Sequence, residues 1–450
     1  MAREFLPYDL DQQYLLPPSV HEWLPPDHLV FFVSDLVDSL DLAAITREYE
    51  KDDLRGRAGY HPVMLTKLLV YAYCVGKPSS RRIERATYEE VPFRVLTGNQ
   101  HPDHDSIAAF RKRHLAALAG LFLQVLRLCQ KAGLVRLGHV ALDGTKLRAN
   151  ASKHKAMSYE RLVRSEQELA LEVKRLLGEA ERTDAEEDRT YGKLRGDELP
   201  AELALRKSRL EKIREAKAAL EAEARKATED EAEKQKERRD ERERKEAAEG
   251  RKSRGRRPEI PDPEKARPRA RAQKNFTDPD SCLMKDGATG GFIQAYNAHA
   301  VVDDARQVIV ACSLSAQPSD AVAFLPILRE MHANLGEQPM KLSADSGFFS
   351  AANLAPENTQ GIDCHVPPQR PMSGPVAEEM RKKLQTNAGA EIYCRRKAIV
   401  EPVFGQIKQS RGFRQSSFRG LPAVRHEWEI ICLTHNLLKL FRAGLSFQAT

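Results

Sequence analysis

The spacing of apolar residues predicts that the first part of the chain, residues 1–132, is helical. Apolar positions recur at helical spacing from Pro62 to Tyr73, and the proline stands at the first helical position, where it is tolerated. An earlier apolar run follows Asp27, whose carboxylate is expected to cap free N–H groups. Short helices, tight turns and basic residues at helix starts are typical of a helix-turn-helix-like DNA-binding module. An ordinary helical bundle fits the same pattern.

After residue 133 the pattern changes to short apolar runs that predict strands. One run, residues 139–142, ends in Asp143, and another, residues 340–344, ends in Asp345. Further strands are predicted over residues 292–302, 307–314 and 361–367, and helices over 320–334, 376–383, 393–409 and 424–440. This order predicts an α/β catalytic domain with a ribonuclease-H-like mixed sheet, built from residues 133–155 and 275–450.

A polar, charged insertion, residues 156–250, separates the two parts of that domain. Glu and Lys four residues apart are common in it, and leucines recur as far as Leu220. We expect two long helices, broken near residues 190–200, folded as an antiparallel coiled-coil arm. Beyond Leu220 large apolar residues stop, so the run to Glu249 is expected to be a frayed helix or disordered.

The net charge of +7 is concentrated in one basic linker, residues 251–274. This linker holds ten Lys or Arg and three acidic residues, so the rest of the chain sums to zero. Such a segment favours contact with a polyanion. A solvated disordered linker has the same composition.

Composition excludes several classes of protein. The seven cysteines form no Cys-x-x-Cys pair, so neither a disulfide framework nor a thiolate zinc site is indicated. The sequence lacks an apolar run long enough for a membrane helix, and its start lacks the apolar stretch of a signal peptide. We therefore expect a cytoplasmic, nucleoid-associated protein without a membrane partner. The length of 450 residues favours two or three modules.

Three acids form the candidate site. Phosphodiester chemistry can be performed by two Mg²⁺ ions about 3.5–4 Å apart, held by a few converging carboxylates. Asp143 and Asp345 each end a predicted strand, and ligands gather at the carboxyl ends of strands in open sheets. Each Asp, taken singly, also suits a turn or a helix cap.

The third acid, Glu401, lies on a predicted helix. Tyr393, Lys397, Glu401 and Lys408 follow one another at intervals of four, four and seven, which places them on one helix face. Pro402 is expected to bend this helix. Lys408 is positioned to contact a DNA phosphate, whereas a surface salt bridge is the ordinary alternative for Glu401.

Other polar residues are assigned lesser roles. Asn297, inside a predicted strand, either faces the site or caps an edge. We expect His299, His365 and His435 to be hydrogen-bonded structural residues, because none has a partner at metal-ligand spacing.

Three stretches, residues 142–146 with 150–159, 343–348 and 400–408, resemble bacterial insertion-sequence transposases of the DDE superfamily. Residues 411–414 and 435–437 continue the third motif, and residues 60–111 resemble that family's leading helical transposase domain. One departure is visible: Lys397 stands four residues before Glu401, where the related signature has Arg, and Arg396 lies beside it. A lysine supplies charge there but no bidentate phosphate clamp.

The resemblance implies a mechanism and partners. Asp143 would be shared by both Mg²⁺ ions, and Asp345 and Glu401 would hold one each, with Mn²⁺ able to substitute. Water would cut double-stranded DNA at the terminal inverted repeats, and the freed 3′-hydroxyl would attack target DNA. Pairing two ends implies a homo-oligomer, a dimer on DNA. The residues expected to contact DNA are Tyr393, Arg396, Lys397, Lys408, Lys146 and Arg411.

Other functions remain open at this point. The main alternative is a catalytically inactive, transposase-derived DNA-binding protein. A simple nuclease, which cuts without joining, and a structural coiled-coil protein are further alternatives.

Overall fold

The structure is a computed structural model that describes residues 19–49, 59–152, 155–191, 201–249, 257, 259–287, 290–369 and 372–444. Within these ranges it does not describe the side chains of Val20, Glu249 and residues 176–204. Lys153 and His154 of the first motif, the expected helix break at 192–200 and the start of the basic linker (251–256 and 258) lie outside this description. The chain divides into two compact units, residues 1–148 with 296–450 and residues 149–295. Each unit is described by itself.

The first unit begins with helices, as the apolar spacing predicts. They are α1 (Leu29–Asp38), α2 (Ala43–Thr46), α3 (Pro62–Cys74), α4 (Ser80–Glu89), α5 (Val91–Leu96), α6 (His104–Arg113) and α7 (Leu115–Lys131). One expected cap is wrong: α1 is capped by His28, whose Nδ1 accepts from the Val30 N–H at 3.1 Å, and Asp27 precedes the cap. The side chain nearer the first turn takes the capping role.

A mixed sheet forms the centre of the first unit. Its strands are β1 (His139–Arg148), β5 (Phe292–Asp303), β6 (Ile309–Ser315), β7 (Lys341–Ala344) and β8 (Asp363–His365), in the spatial order β6-β5-β1-β7-β8. β1 runs parallel to β7, β7 parallel to β8, and β5 antiparallel to β6. The Asp304 N–H donates to the His139 carbonyl at 3.0 Å, so the end of β5 meets the start of β1. The first strand in sequence is therefore central.

Helices cover this sheet. They are α10 (Phe324–Leu335), α11 (Pro356–Thr359), α12 (Pro375–Gln385), α13 (Asn387–Gly405) and α14 (Leu421–Arg442). α14 packs on β6, α3 and α7, and its second half is buried on all sides. Such burial is typical of a helix in the core rather than at the surface. Trp428, which is 1% exposed, donates from Nε1 to the His299 carbonyl at 3.1 Å and joins α14 to β5.

The second unit contains a helical hairpin. α8 (Tyr159–Tyr191) and α9 (Ala201–Glu249) pack side by side, and β2 (Ala156–Ser158) pairs with β3 (Gln273–Asn275). Arg206 pairs with Glu172, and Lys217 with Glu166, so residues further along α9 meet residues earlier along α8. The two helices are therefore antiparallel. α9 continues as a helix to Glu249.

The remainder of the second unit is a short β-ribbon. β4 (Cys282–Lys285) pairs antiparallel with the first residues of β5.

The predicted mixed α/β architecture is confirmed, and the end of β1 differs from the prediction. β1 continues to Arg148, so Asp143 lies within the strand rather than at its end. Pairing with β7 stops at Leu142, and beyond it β1 hydrogen-bonds elsewhere: the Arg148 N–H donates to the Arg414 carbonyl at 3.0 Å. Among the helices described, none has the length and apolar character needed to cross a membrane.

Candidate active site

Asp143 and Asp345 occupy equivalent positions on two neighbouring parallel strands. Leu142 of β1 and Ala344 of β7 are the last residues that pair, and each aspartate follows directly. Leu142 and Ala344 are fully buried, so the strands are anchored in the core up to the acids. The register therefore brings the two carboxylates side by side at one edge of the sheet.

Asp143 is held by two hydrogen bonds. Its Oδ1 accepts from the Gly144 N–H at 2.8 Å, and its Oδ2 accepts from Arg396 Nη1 at 2.8 Å. Burial raises the pKa of Asp143 above its usual range, and the charge of Asp345 adds to this, although Arg396 and the Gly144 N–H act in the opposite direction.

Asp345 has a similar environment. Its Oδ1 accepts from the Gly347 N–H at 2.9 Å, as the cap of the 3₁₀ turn Ser346–Phe348. Burial raises the pKa of Asp345, and the charge of Asp320 contributes in the same direction. Both aspartates thus have raised pKa values mainly because they are buried, and a neighbouring carboxylate adds to the effect in each case.

Arg396 supplies the positive charge nearest to Asp143. It lies on the buried face of α13, at helical spacing from Ile399, Val400 and Val403. Its guanidinium carbon is 5.9 Å from the centre of the Tyr393 ring, within cation–π range. Lys397, expected from the sequence as the possible source of this charge, is exposed. The helical spacing of Arg396 from buried apolar residues is the sequence signal that places Arg396, and not Lys397, on the buried face.

The third predicted acid, Glu401, belongs to the same helix as Arg396. It is exposed on α13, five residues after Arg396 and on a different side of the helix. α13 itself packs against β1 and β7, next to the site. Pro402 is accommodated inside α13, which ends at Gly405 and continues as a π-helical turn, Gln406–Ser410.

The other residues predicted to contact DNA lie in different environments. Lys408 donates from Nζ to the Lys146 carbonyl at 2.8 Å, which links the π-helical turn to β1. Lys146 directs its own Nζ toward Asp320 Oδ1, 3.7 Å away. Arg411 is only 6% exposed and donates to Thr434 Oγ1 at 2.8 Å and to the Ile431 carbonyl at 3.1 Å. Arg411 is thus placed to anchor α14, and burial lowers its pKa to about 10.

A third carboxylate, Asp320, lies beside the two aspartates. Asn297 Nδ2 and His299 Nε2 both contact its Oδ1, at 2.5 and 3.2 Å. Burial opposes its ionisation, but these contacts and the charge of Lys146 outweigh burial and lower the pKa of Asp320. From the sequence Asp320 is only the start of a predicted helix, because nothing local indicates that β5 runs beneath it.

The donor set at this edge of the sheet suits a divalent cation. Carboxylate oxygens are the hard ligands that Mg²⁺ prefers, and a cation would stabilise the charged forms of Asp143 and Asp345, which burial and neighbouring carboxylates disfavour. Within the described ranges, however, His, Cys, Asp and Glu form no group of three arranged to hold a metal ion. The fit therefore rests on the aspartate pair.

Two family models match this chain. The one described as Transposase domain (DUF772) matches residues 18–113, and the one described as Transposase DDE domain matches residues 270–437. The second range contains Asp320, Asp345 and Glu401, whereas Asp143 precedes it. No curated protein and no solved structure matches the chain.

Proposed function

Because this chain belongs to the DDE transposases of insertion sequences, we propose that it cuts the ends of its element and joins them to target DNA in a Mg²⁺-dependent reaction. The observation that carries this proposal is the pairing of β1 with β7. It sets Asp143 and Asp345, from distant parts of the sequence, at the same level of adjacent parallel strands.

We assign the catalytic domain to the ribonuclease-H-like folds. Support comes from a mixed sheet whose first strand is central, with an antiparallel neighbour on one side and parallel strands on the other. The first acid lies on the central strand and the second follows the adjacent parallel strand. The helical hairpin α8–α9 would then be an insertion after the first strand, with the coiled-coil arm as its proposed form.

The metal ligands we propose are Asp143, Asp345 and Glu401. When bound, Mg²⁺ or Mn²⁺ supplies activation of water and stabilisation of the leaving oxygen. Asp143 and Asp345 offer carboxylates on rigid strands, which limits their movement. Glu401 is proposed as the third ligand because its helix packs on the same two strands. Its exposed side chain would reach the aspartates when DNA is bound.

The positive residues around the aspartates would hold the DNA backbone. Arg396 keeps Asp143 oriented, while Lys397 is exposed beside it and free to reach a phosphate. Tyr393, Lys408 and Lys146 lie close to this edge and complete the proposed DNA contacts. We do not include Arg411 among them, because its guanidinium is engaged inside the protein.

The partners follow from the reaction. Two element ends must be brought together, so we propose a homo-oligomer, a dimer on DNA, that recognises the terminal inverted repeats. The helical domain of residues 1–132 and the basic linker of residues 251–274 are the proposed DNA-binding parts. Exposed Arg81, Arg82 and Arg85 on α4 support the first assignment.

An in vitro reaction with the flanking terminal repeats tests the proposal. Purified full-length protein should cut and join this DNA with Mg²⁺ or Mn²⁺, and chelation should stop both steps. Asp143→Asn and Asp345→Asn should each lower the rate by at least about a thousandfold while end binding persists. Glu337→Gln, at an exposed acid just after α10, is a control outside the proposed DNA-binding parts and should retain activity.

Two outcomes would contradict this function. Strand transfer that survives Asp143→Asn, in protein that still folds and binds the ends, would remove the aspartates from catalysis. Binding without cutting in either metal would instead support the alternative, an inactive transposase-derived DNA-binding protein.

A further inference from the structure

Asp320 stands where an aspartate normally caps a helix, but its side chain does something else. It precedes the 3₁₀ turn Ala321–Ala323, which leads into α10, and it makes no side-chain cap hydrogen bond. Its carboxylate instead reaches across the sheet edge toward the residues that follow Asp143 and Asp345. Because Asp320 does not cap the helix and contacts distant residues instead, we infer that its role lies in the active site.

Two side chains of β5 contact the Asp320 carboxylate. Asn297 and His299 are both fully buried on β5, and both contact Asp320 Oδ1, at 2.5 and 3.2 Å. Lys146 Nζ lies 3.7 Å from the same oxygen. A carboxylate that is hydrogen-bonded by two buried side chains has little freedom to move.

The glycines of both aspartate motifs leave room for Asp320. A Cβ on Gly347 would lie 2.8 Å from Asp320 Oδ2 and 3.0 Å from Asp345 Oδ1. A Cβ on Gly144 would lie 3.0 Å from Asp320 Oδ1 and 3.0 Å from His299 Cδ2. Asp320 therefore sits between the backbone segments that directly follow the two acids.

Space, and not backbone conformation, explains these two glycines. Neither Gly144 nor Gly347 has a positive φ, so other residues would adopt both backbones. Real Cβ atoms essentially never have contacts shorter than 3.0 Å. A Cβ on Gly347 would break this limit, because it would lie 2.8 Å from Asp320 Oδ2. An alanine at position 347 would therefore require Asp320 to shift.

We propose that Asp320 is a positioning residue of the active site, a fixed carboxylate that sets the spacing between the backbone segments carrying Asp143 and Asp345. The proposal rests on the function proposed above, in which those two aspartates hold divalent cations. Supporting groups around metal ligands change metal affinity by about 10- to 100-fold when removed. The same range is expected here.

Binding of Mn²⁺ to the full-length protein without DNA, followed by electron paramagnetic resonance, tests this role apart from catalysis. Asp320→Ala should weaken Mn²⁺ binding by at least about tenfold, since the two backbone segments lose the group between them. Asp320→Asn keeps the size and the oxygen that Asn297 and His299 contact, so its affinity should stay within about threefold of wild type. An Asn variant as weak as the Ala variant would overturn a role in spacing.

Gly347→Ala provides a second test that leaves Asp320 in place. The added methyl should displace Asp320 and Asp345 and weaken Mn²⁺ binding by about tenfold, whereas Gly120→Ala, in open space on α7, should bind as wild type. In the Asp320→Ala background, Gly347→Ala should add less than its loss in the wild-type background, because the contact with Asp320 is gone and only the 3.0 Å contact with Asp345 Oδ1 remains. Additive losses would contradict the proposed contact.

The controls separate this inference from the proposed function. Asp143→Asn and Asp345→Asn should lose Mn²⁺ binding. If they do, while Asp320→Ala and Gly347→Ala both bind as wild type, Asp320 has no positioning role and the proposed function stands. If the two aspartate variants keep wild-type Mn²⁺ binding, the proposed metal site fails and the role of Asp320 falls with it.

Discussion

Arg396 and Asp143 form a largely buried ion pair that ties α13 to the central strand. Nη1 of Arg396 lies 2.8 Å from Oδ2 of Asp143, and the two side chains are only 9% and 19% exposed. Breaking a buried pair by removing one partner is costly, because the other charge is left without compensation. The pair therefore links the stability of this region to the orientation of a proposed catalytic carboxylate.

Arg396→Ala should destabilise the protein by about 3 kcal/mol, because Asp143 would remain buried without its partner. Urea unfolding measures this change. Lys397→Ala, at the exposed neighbouring position, is the control and should change stability by no more than about 0.5 kcal/mol. If both variants changed the stability equally, the ion pair between Arg396 and Asp143 would make no specific contribution to stability.

The acid Glu330 predicts a pH-dependent stability. Burial and the nearby charge of Glu429 raise the pKa of Glu330 to about 7 from its usual 4.5. Its stabilising contribution is therefore complete below about pH 4.5 and is lost as the pH rises through about 7. Glu330→Gln should increase stability at about pH 8.5 by up to about 3 kcal/mol and flatten the pH profile.

Thermal unfolding between about pH 5 and pH 8.5 measures the effect of Glu330. Glu337→Gln, at an exposed acid just after α10, should leave the wild-type profile unchanged. A wild-type profile that rises across this interval, or a Glu330→Gln profile that falls as steeply as wild type, would disprove the assignment.

Asn436 should be essential for closing the edge of the sheet. Its side chain accepts from the Ile309 N–H and donates to the Ile309 carbonyl, both at 2.8 Å, and it is fully buried. Asn436→Ala would leave both backbone groups of edge strand β6 unsatisfied, at a cost of about 3 kcal/mol. Asn358→Ala, which removes one exposed hydrogen bond, should cost about 1 kcal/mol or less.

The helical hairpin of the second unit depends on a small apolar cluster. Leu162 is fully buried against Ile213, Ala216 and Leu220. Leu162→Ala should destabilise the α8–α9 pairing by about 3 kcal/mol, which faster amide exchange in both helices would report. Leu171→Ala, on the same helix but 70% exposed, should leave the exchange rates as they are.

Local pattern alone predicted much of this protein. The helices of residues 29–131, the short strands around the sheet and the two long helices of the insertion each depend on spacing between near neighbours in the sequence. Motifs around Asp143, Asp345 and Glu401 predicted the transposase resemblance, and the two family models confirm it. These features can be predicted because the periodicity of apolar residues and the order of the motifs are properties of the sequence itself.

The tertiary structure decided which side chains meet. The register of β1 against β7 sets Asp143 beside Asp345, and the packing of α13 selects Arg396 instead of Lys397 as the partner of Asp143. The path of β5 beneath Asp320 makes an ordinary helix-start acid part of the site. Each of these contacts joins residues far apart in the sequence, so its geometry depends on how strands and helices pack and not on any local pattern.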